Sequence, residues 1–269
     1  MKQLSETQLK ENWDKLIQVI KDTFEDGSER RENLLRMYHD LEDRMIMAPA
    51  SGKEEYHYCH VGGYVEHVLH VVDTARKMSD TYEAAGGHKN WTDEELVFSA
   101  LHHDLGKVGD LNDEYYIPQD NDWRRKTLGE VYTYNTDIQN MRVPDRALFL
   151  LQHYGVKCNV NETLSIKLAD GLYDDSSQYY LKVFDSSRSL KNHLPNIIHF
   201  ADHMATLAEY DEWKRGDEDE KEEMESKIEN IKSVTVAKDK QNGVQEKHED
   251  PVLEHKHQDL FDELFGDKS

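Results

Sequence analysis

The stretch ALHHDLGKVGD, residues 100–110, closes an apolar run with two histidines and an aspartate, then carries a lysine just past a glycine. Imidazole and carboxylate together suit a divalent transition ion, and a nearby lysine adds a cation for a phosphate oxygen. Successive side chains on a helix point about 100° apart, so His103 and Asp104 reach one ion only where the helix is ending. Gly106 is placed to supply that ending, with Lys107 following within reach. Two more polar residues interrupt stripes that otherwise read as core: His67 in GGYVEH, and Asp202 among Ile198, Ala201 and Ala205. A carboxylate beside such a stripe is costly to bury unless a cation compensates it.

The elements that must position these residues read as helices. Leu9, Trp13, Leu16, Ile17, Ile20 and Phe24 recur at helical spacing, and Gly27-Ser28 offers a stop and a new N-cap. A second helix is expected from about residue 29 to 47, ending before Pro49. Val65, Val68, Leu69, Val72 and Ala75 form one apolar stripe, and Thr92 with Glu95 is a capping box for LVFSALHHDL. Residues 112–136, rich in Tyr, Asp and Asn, read as an irregular excursion near the site. Pro144 and Pro195 each suit the first turn of a later helix. With no alternating strand series, the expectation is an all-α fold over residues 1–210. Residues 211–258 read as a charged helix and a partly disordered linker, and 259–269 as a short amphipathic peptide.

Bulk properties narrow the chemistry. A formal charge of −22 over 269 residues repels a polyphosphate backbone, so extensive duplex binding is not expected. A small phosphorylated substrate or a short strand end remains compatible, provided a metal and local basic residues reverse the field. Cys59 and Cys158 lie far apart in no CxxC pair, which fits a reducing cytosol. The N-terminal MKQLSETQLKENWDKL lacks the apolar run of a signal peptide, and no run approaches the roughly 20 residues of a membrane span. A soluble, cytoplasmic protein is expected.

In this order and helical context, GGYVEH, ALHHDLGK and HFADHMAT resemble the HD-domain metal-dependent phosphohydrolase superfamily, over residues 56–210. The resemblance implies an HD-domain-like helical bundle with His67, His103, Asp104 and Asp202 as metal ligands; the chemistry of hydrolysis at such an ion makes Asp104, to orient the nucleophile, and Lys107, to hold a nonbridging phosphate oxygen, the candidate catalytic residues. The implied cofactor is a divalent ion: Mn, Co, Ni, Zn or Fe, with Mg as a further candidate. Where many relatives carry a histidine followed by Met-Gly, SIKLADGLYDD places Asp170 before Gly171, a departure that bears on a second metal or a substrate contact.

Substrate contacts are sought at His60, Asp170 and the basic cluster Arg124, Arg125 and Lys126; the bland alternatives are a satisfied structural His60 and a solvated face paired with Asp120 and Asp122. His102 reads as a packing or solvent-facing residue and His70 as a helix-surface one. His153 is read chiefly as core packing, with a second-ion ligand as the alternative. His199 and His203 flank Asp202 and are candidates for touching substrate; Arg142 and Arg146 are weaker phosphate candidates.

The implied activity is hydrolysis of a nucleotide or short nucleic-acid phosphoester by metal-activated water. Two alternatives stay open: an HD-type di-iron oxygenase, and a noncatalytic binding module. The module would be recruited by the C-terminal peptide, whose Leu260, Phe261, Leu264 and Phe265 share one face. That peptide is similar to the clamp-binding tails of replication proteins in large tailed bacteriophages, which implies a sliding clamp as partner and a host cytoplasm. Folding back onto its own domain is the other reading.

Overall fold

Local capping starts the helices where the sequence places them. The Ser5 hydroxyl accepts from the Gln8 N–H while the Gln8 side chain accepts from the Ser5 N–H, opening α1 (Glu6–Thr23). The same reciprocal pair, Thr92 with Glu95, opens α5 (Asp93–His102), and Asn159 with Glu162 opens α8 (Val160–Lys167). Between them lie α2 (Glu29–Asp40), α3 (Glu42–Met47), α4 (Gly63–Ala84), α6 (Asp122–Leu128) and α7 (Val143–His153), followed by α9 (Gln178–Leu181) and α10, which covers 194–216. The computed structural model describes residues 3–183 and 185–216. The fold is all-α, and no helix among the described residues is long and apolar enough to cross a membrane.

Two expectations need correction. The single helix over 29–47 is broken at Leu41, whose φ of −104° and ψ of 6° leave the α region. Past the break the Arg44 guanidinium donates to the carbonyls of Asp110, Leu111 and Asp113, a contact across the fold that local periodicity does not encode. The excursion over 112–136 also contains a ribbon: β1 (Tyr116–Pro118) pairs antiparallel with β2 (Tyr132–Tyr134), Tyr116 opposite Tyr134. Three residues per strand are too few for an alternating pattern to register. The Gly52 carbonyl fixes the ribbon by accepting from Val131 and Tyr132.

The core is one cluster into which α1, α2, α4, α5, α7, α8 and α10 all contribute, including Leu16, Leu34, Val68, Phe98, Leu150, Ile166 and Ile198. α5 is its central element, with every residue from Leu96 to His102 buried. The described chain forms one compact unit to Gly216, and α10 runs on past Tyr210. Most of the charged extension and the peptide bearing Leu260, Phe261, Leu264 and Phe265 lie outside the described residues.

One cation ties α2 and α8 to α5. Arg30 donates to Glu94 at 2.8 Å and to the fully buried Glu162 at 2.6 Å, with its guanidinium 4.0 Å from the Phe98 ring centroid. Burial pushes the Glu162 carboxyl above its ordinary pKa, and Arg30 opposes that rise. Arg30→Met should therefore strand a buried carboxylate and lower unfolding stability in urea by about 3 kcal/mol. Adding Glu162→Gln should recover most of the loss; no recovery would show that packing on Phe98, not charge, is the stabilising element.

Candidate metal centre

The end of α5 differs from the expected glycine stop. His103 keeps helical dihedrals, and the chain tightens into a 3-10 turn over Leu105–Val108. Gly106 does not adopt a left-handed conformation; that role falls to Gly109, at φ 111°. Gly106 is needed for close approach, because a Cβ there would overlap the Val143 carbonyl, and its own carbonyl accepts from Arg146. Docking of this turn on the start of α7 swings Asp104 to the same side as His103.

His67 from α4, His103 and Asp104 from the end of α5, and Asp202 from α10 converge. His67 Nε2 lies 3.2 Å from Asp202 Oδ1 and 3.5 Å from Asp104 Oδ2. His103 Nε2 lies 3.6 Å and 3.5 Å from the same two oxygens. Both Nε2 atoms are shut off from water and face only these carboxylate oxygens. Their outer nitrogens are engaged: His67 Nδ1 is 3.0 Å from both Glu209 oxygens, and His103 Nδ1 is 2.8 Å from the Ala100 carbonyl. Carboxylates and carbonyls only accept, so Nδ1 carries the donated hydrogen and Nε2 points its remaining capacity inward. Lys107 Nζ sits 2.6 Å from Asp104 Oδ2.

The electrostatics favour a cation at this point. Burial raises the Asp104 and Asp202 pKa values, but Lys107 and His103 hold Asp104 below the ordinary range, and His103 and His67 hold Asp202 well below it. Burial opposes a charge on His67, yet Glu209 and Asp202 more than offset it and push the pKa up to about 10. His103 is raised likewise, by Asp104 and Asp202 against burial. Protons on these rings thus stand where a metal's charge would act.

Sequence reasoning missed two members of the cluster. Glu209, buried on α10 seven residues after Asp202, accepts from both His67 and His70; the helical spacing Asp202, Ala205, Glu209 was its available signal. His57 lies with its ring centroid 4.6 Å from that of His67, and its Nε2 is also buried without a partner. Burial, then His67 and Lys107, lower its pKa to about 3, leaving a neutral imidazole. Its loop folds back over α4 through Tyr58, at φ 40°, and a Cβ on Gly63 would overlap the Tyr58 carbonyl. The Gly62-Gly63 pair after HYCH is the trace this leaves in the sequence.

Two overlapping triplets can therefore hold an ion, His57–His67–Asp104 and His67–His103–Asp202, with ligand atoms within 4.8 Å of one another in each. Ligands on one ion at about 2.1 Å stand at most about 4.2 Å apart, a spread that modest side-chain adjustment reaches.

The remaining candidates sit elsewhere or play other parts. His60 is buried at the start of α4, its Nδ1 3.0 Å from the Val61 carbonyl and its Nε2 3.5 Å from Glu66. His102 packs fully buried between the Phe98 carbonyl and the Tyr38 hydroxyl. His153 is exposed at the end of α7 and belongs to neither triplet. Arg146 is buried on the carbonyls of Gly106 and Gln139, and Arg142 pairs with Asp174. Arg124 is held by Glu130 and Arg125 by Asp122; Lys126 is exposed beside them. Asp170 lies at the rim, its pKa raised by partial desolvation and by Asp104. Gly171, at φ 55°, makes room for the His199 ring, which engages the Ala169 carbonyl.

No protein-family model matches the chain, no curated protein matches it, and no solved structure matches it.

Metal affinity should rise with pH. His67, with a pKa of about 10, keeps its extra proton throughout pH 6–8, so an entering ion must displace it. Calorimetric titration with Mn²⁺ or Zn²⁺ should show proton release and an affinity gain of about tenfold per pH unit; a flat response between pH 6 and 8 would show that binding displaces no proton, and unchanged affinity in His67→Ala would rule out His67 as a ligand. Glu209→Gln should weaken binding by roughly 10- to 100-fold through loss of the His67 orientation.

Proposed function

We propose that the chain is an HD-type metal-dependent phosphohydrolase acting on a nucleotide or short nucleic-acid phosphoester. The observation that carries this reading is the convergence of two buried imidazole nitrogens on two ionised carboxylates beside a lysine. A divalent ion in such a mixed nitrogen and oxygen set supplies Lewis acidity to a phosphoryl oxygen and lowers the pKa of water. Manganese, cobalt, nickel, zinc or iron suit these ligands better than magnesium, which prefers an all-oxygen shell.

The chain's own groups divide the remaining work. His67, His103, Asp104 and Asp202 would hold the ion, with His57 as a fifth ligand. The Asp202 and Lys107 side chains keep 19% and 15% of their exposure, against 0–1% for His67 and His103, so substrate approaches from their side. Lys107 stays protonated because Asp104 more than offsets its burial, and it can meet a nonbridging phosphate oxygen. It also orients Asp104, whose ionised carboxylate can position the attacking water. Because His67 has only Nε2 to offer, both triplets compete for it, and this favours one ion per chain.

The test is a panel of nucleotides, cyclic dinucleotides and oligonucleotides screened with Mn²⁺, Co²⁺, Ni²⁺, Zn²⁺, Fe²⁺ and Mg²⁺, with metal content measured alongside. Asp104→Asn should lose metal and turnover together, whereas Lys107→Ala should retain metal and lose on the order of 10²-fold in kcat. Two irons per chain with oxygen-dependent turnover would replace the hydrolase by the di-iron oxygenase. A metal-loaded chain inert across the panel would favour the noncatalytic module.

A further inference from the structure

A cleft of about 230 Å³ opens between the Gly52 loop and the β1–β2 ribbon, and none of its lining residues is among the metal-ligand triplets. Tyrosines dominate it. Tyr116 and Tyr134 stack across the ribbon with centroids 5.7 Å apart and rings 25° from parallel, and Tyr134 stays 60% exposed. Tyr56, 49% exposed, faces the same space, with Lys53 Nζ 5.5 Å from its ring centroid. A face-on tyrosine stack left open to water is a platform for another flat ring.

Charge and position narrow what that ring belongs to. The cleft's two cations share Glu130: Arg124 is held by it in two places, whereas Lys53 lies opposite it in an isolated bridge and acts on it electrostatically, with no ion pair among the described residues. In a chain of net charge −22, a lysine so placed is a local attractor for an anion attached to the ring. The volume is below that of a typical whole-ligand pocket and suits one moiety of a larger molecule. Tyr116 relates the cleft to the proposed centre: it lines the cleft, and Lys107 acts electrostatically on its phenol. Gly52 permits this closeness, since a Cβ there would crowd Tyr116 at 3.3 Å and the Tyr132 carbonyl at 3.1 Å.

We propose that this cleft is the subsite for a nucleobase of the substrate, stacked on Tyr134 and flanked by Tyr56, with Lys53 meeting the adjoining phosphate. The assignment rests on the hydrolase reading for the place of the reacting phosphate, and it replaces Arg124 and Arg125 as the phosphate contacts.

Binding can be read without turnover. The full-length, metal-free chain is titrated with a dinucleotide carrying 2-aminopurine, whose fluorescence falls when it stacks. Quenching is expected in the wild type, with affinity about tenfold weaker in Tyr134→Ala and retained in Tyr134→Phe. Lys53→Ala should weaken binding and flatten its salt dependence. The same diester lacking the base should compete poorly. Thermal melts of each variant separate lost stacking from lost folding. Equal binding of the base-bearing and base-less diesters, or an unaffected Tyr134→Ala, overturns the subsite. If the metal-loaded chain hydrolyses both diesters equally well, the subsite fails and the hydrolase stands; base-dependent quenching with no hydrolysis keeps the subsite and removes the hydrolase.

Discussion

Two ionised carboxylates, Asp104 and Asp202, are held against a helical core in a chain already carrying −22, and the rest of the site answers to that constraint. Buried like charges tend to take up protons or leave the interior. Here they are retained by His67 and His103 between them and by Lys107 beside Asp104. Such compensation costs stability relative to an apolar core, so a cluster of this kind suits a site more than a structural strut.

Holding that arrangement requires a rigid frame. α5 delivers His103 and Asp104 because it is buried on every side from Leu96 to His102, and Gly106 lets the following turn seat on the start of α7. Glu209 then turns His67 by engaging Nδ1, and the Ala100 carbonyl does the same for His103. Both outer nitrogens are thus occupied by acceptors that belong to the fold, and only inward-facing nitrogens remain. The strained Tyr58 backbone and the missing Cβ at Gly63 bring a neutral His57 to the same place. The excursion over 112–136 holds helix α6 and a ribbon whose Tyr116 lies within the electrostatic reach of Lys107.

Much of the helical scaffold was legible because its signals act over three or four residues. Thr92 with Glu95, and Ser28 before α2, are caps whose partners lie within one turn. The break at Leu41 was not legible, since the contact made beyond it reaches from Arg44 to residues near 110. Nor was the ribbon, whose strands are too short for a period of two to emerge. The basic cluster misled for a related reason: a run of cations announces charge, and only geometry reveals that Glu130 and Asp122 hold two of its members.

The chain by itself determined which candidate ligand types are present, their order, and the helices that carry His67 and Asp202 or end at His103 and Asp104, because helical periodicity and capping are local properties of neighbouring residues. Only the tertiary structure decided that these side chains converge, that Glu209 and His57 join them, and that Arg124 is paired with Glu130. Those outcomes depend on contacts between groups far apart in the chain, such as the 142 residues separating His67 from Glu209, and they follow from how the helices pack and which polar groups burial leaves in need of a partner.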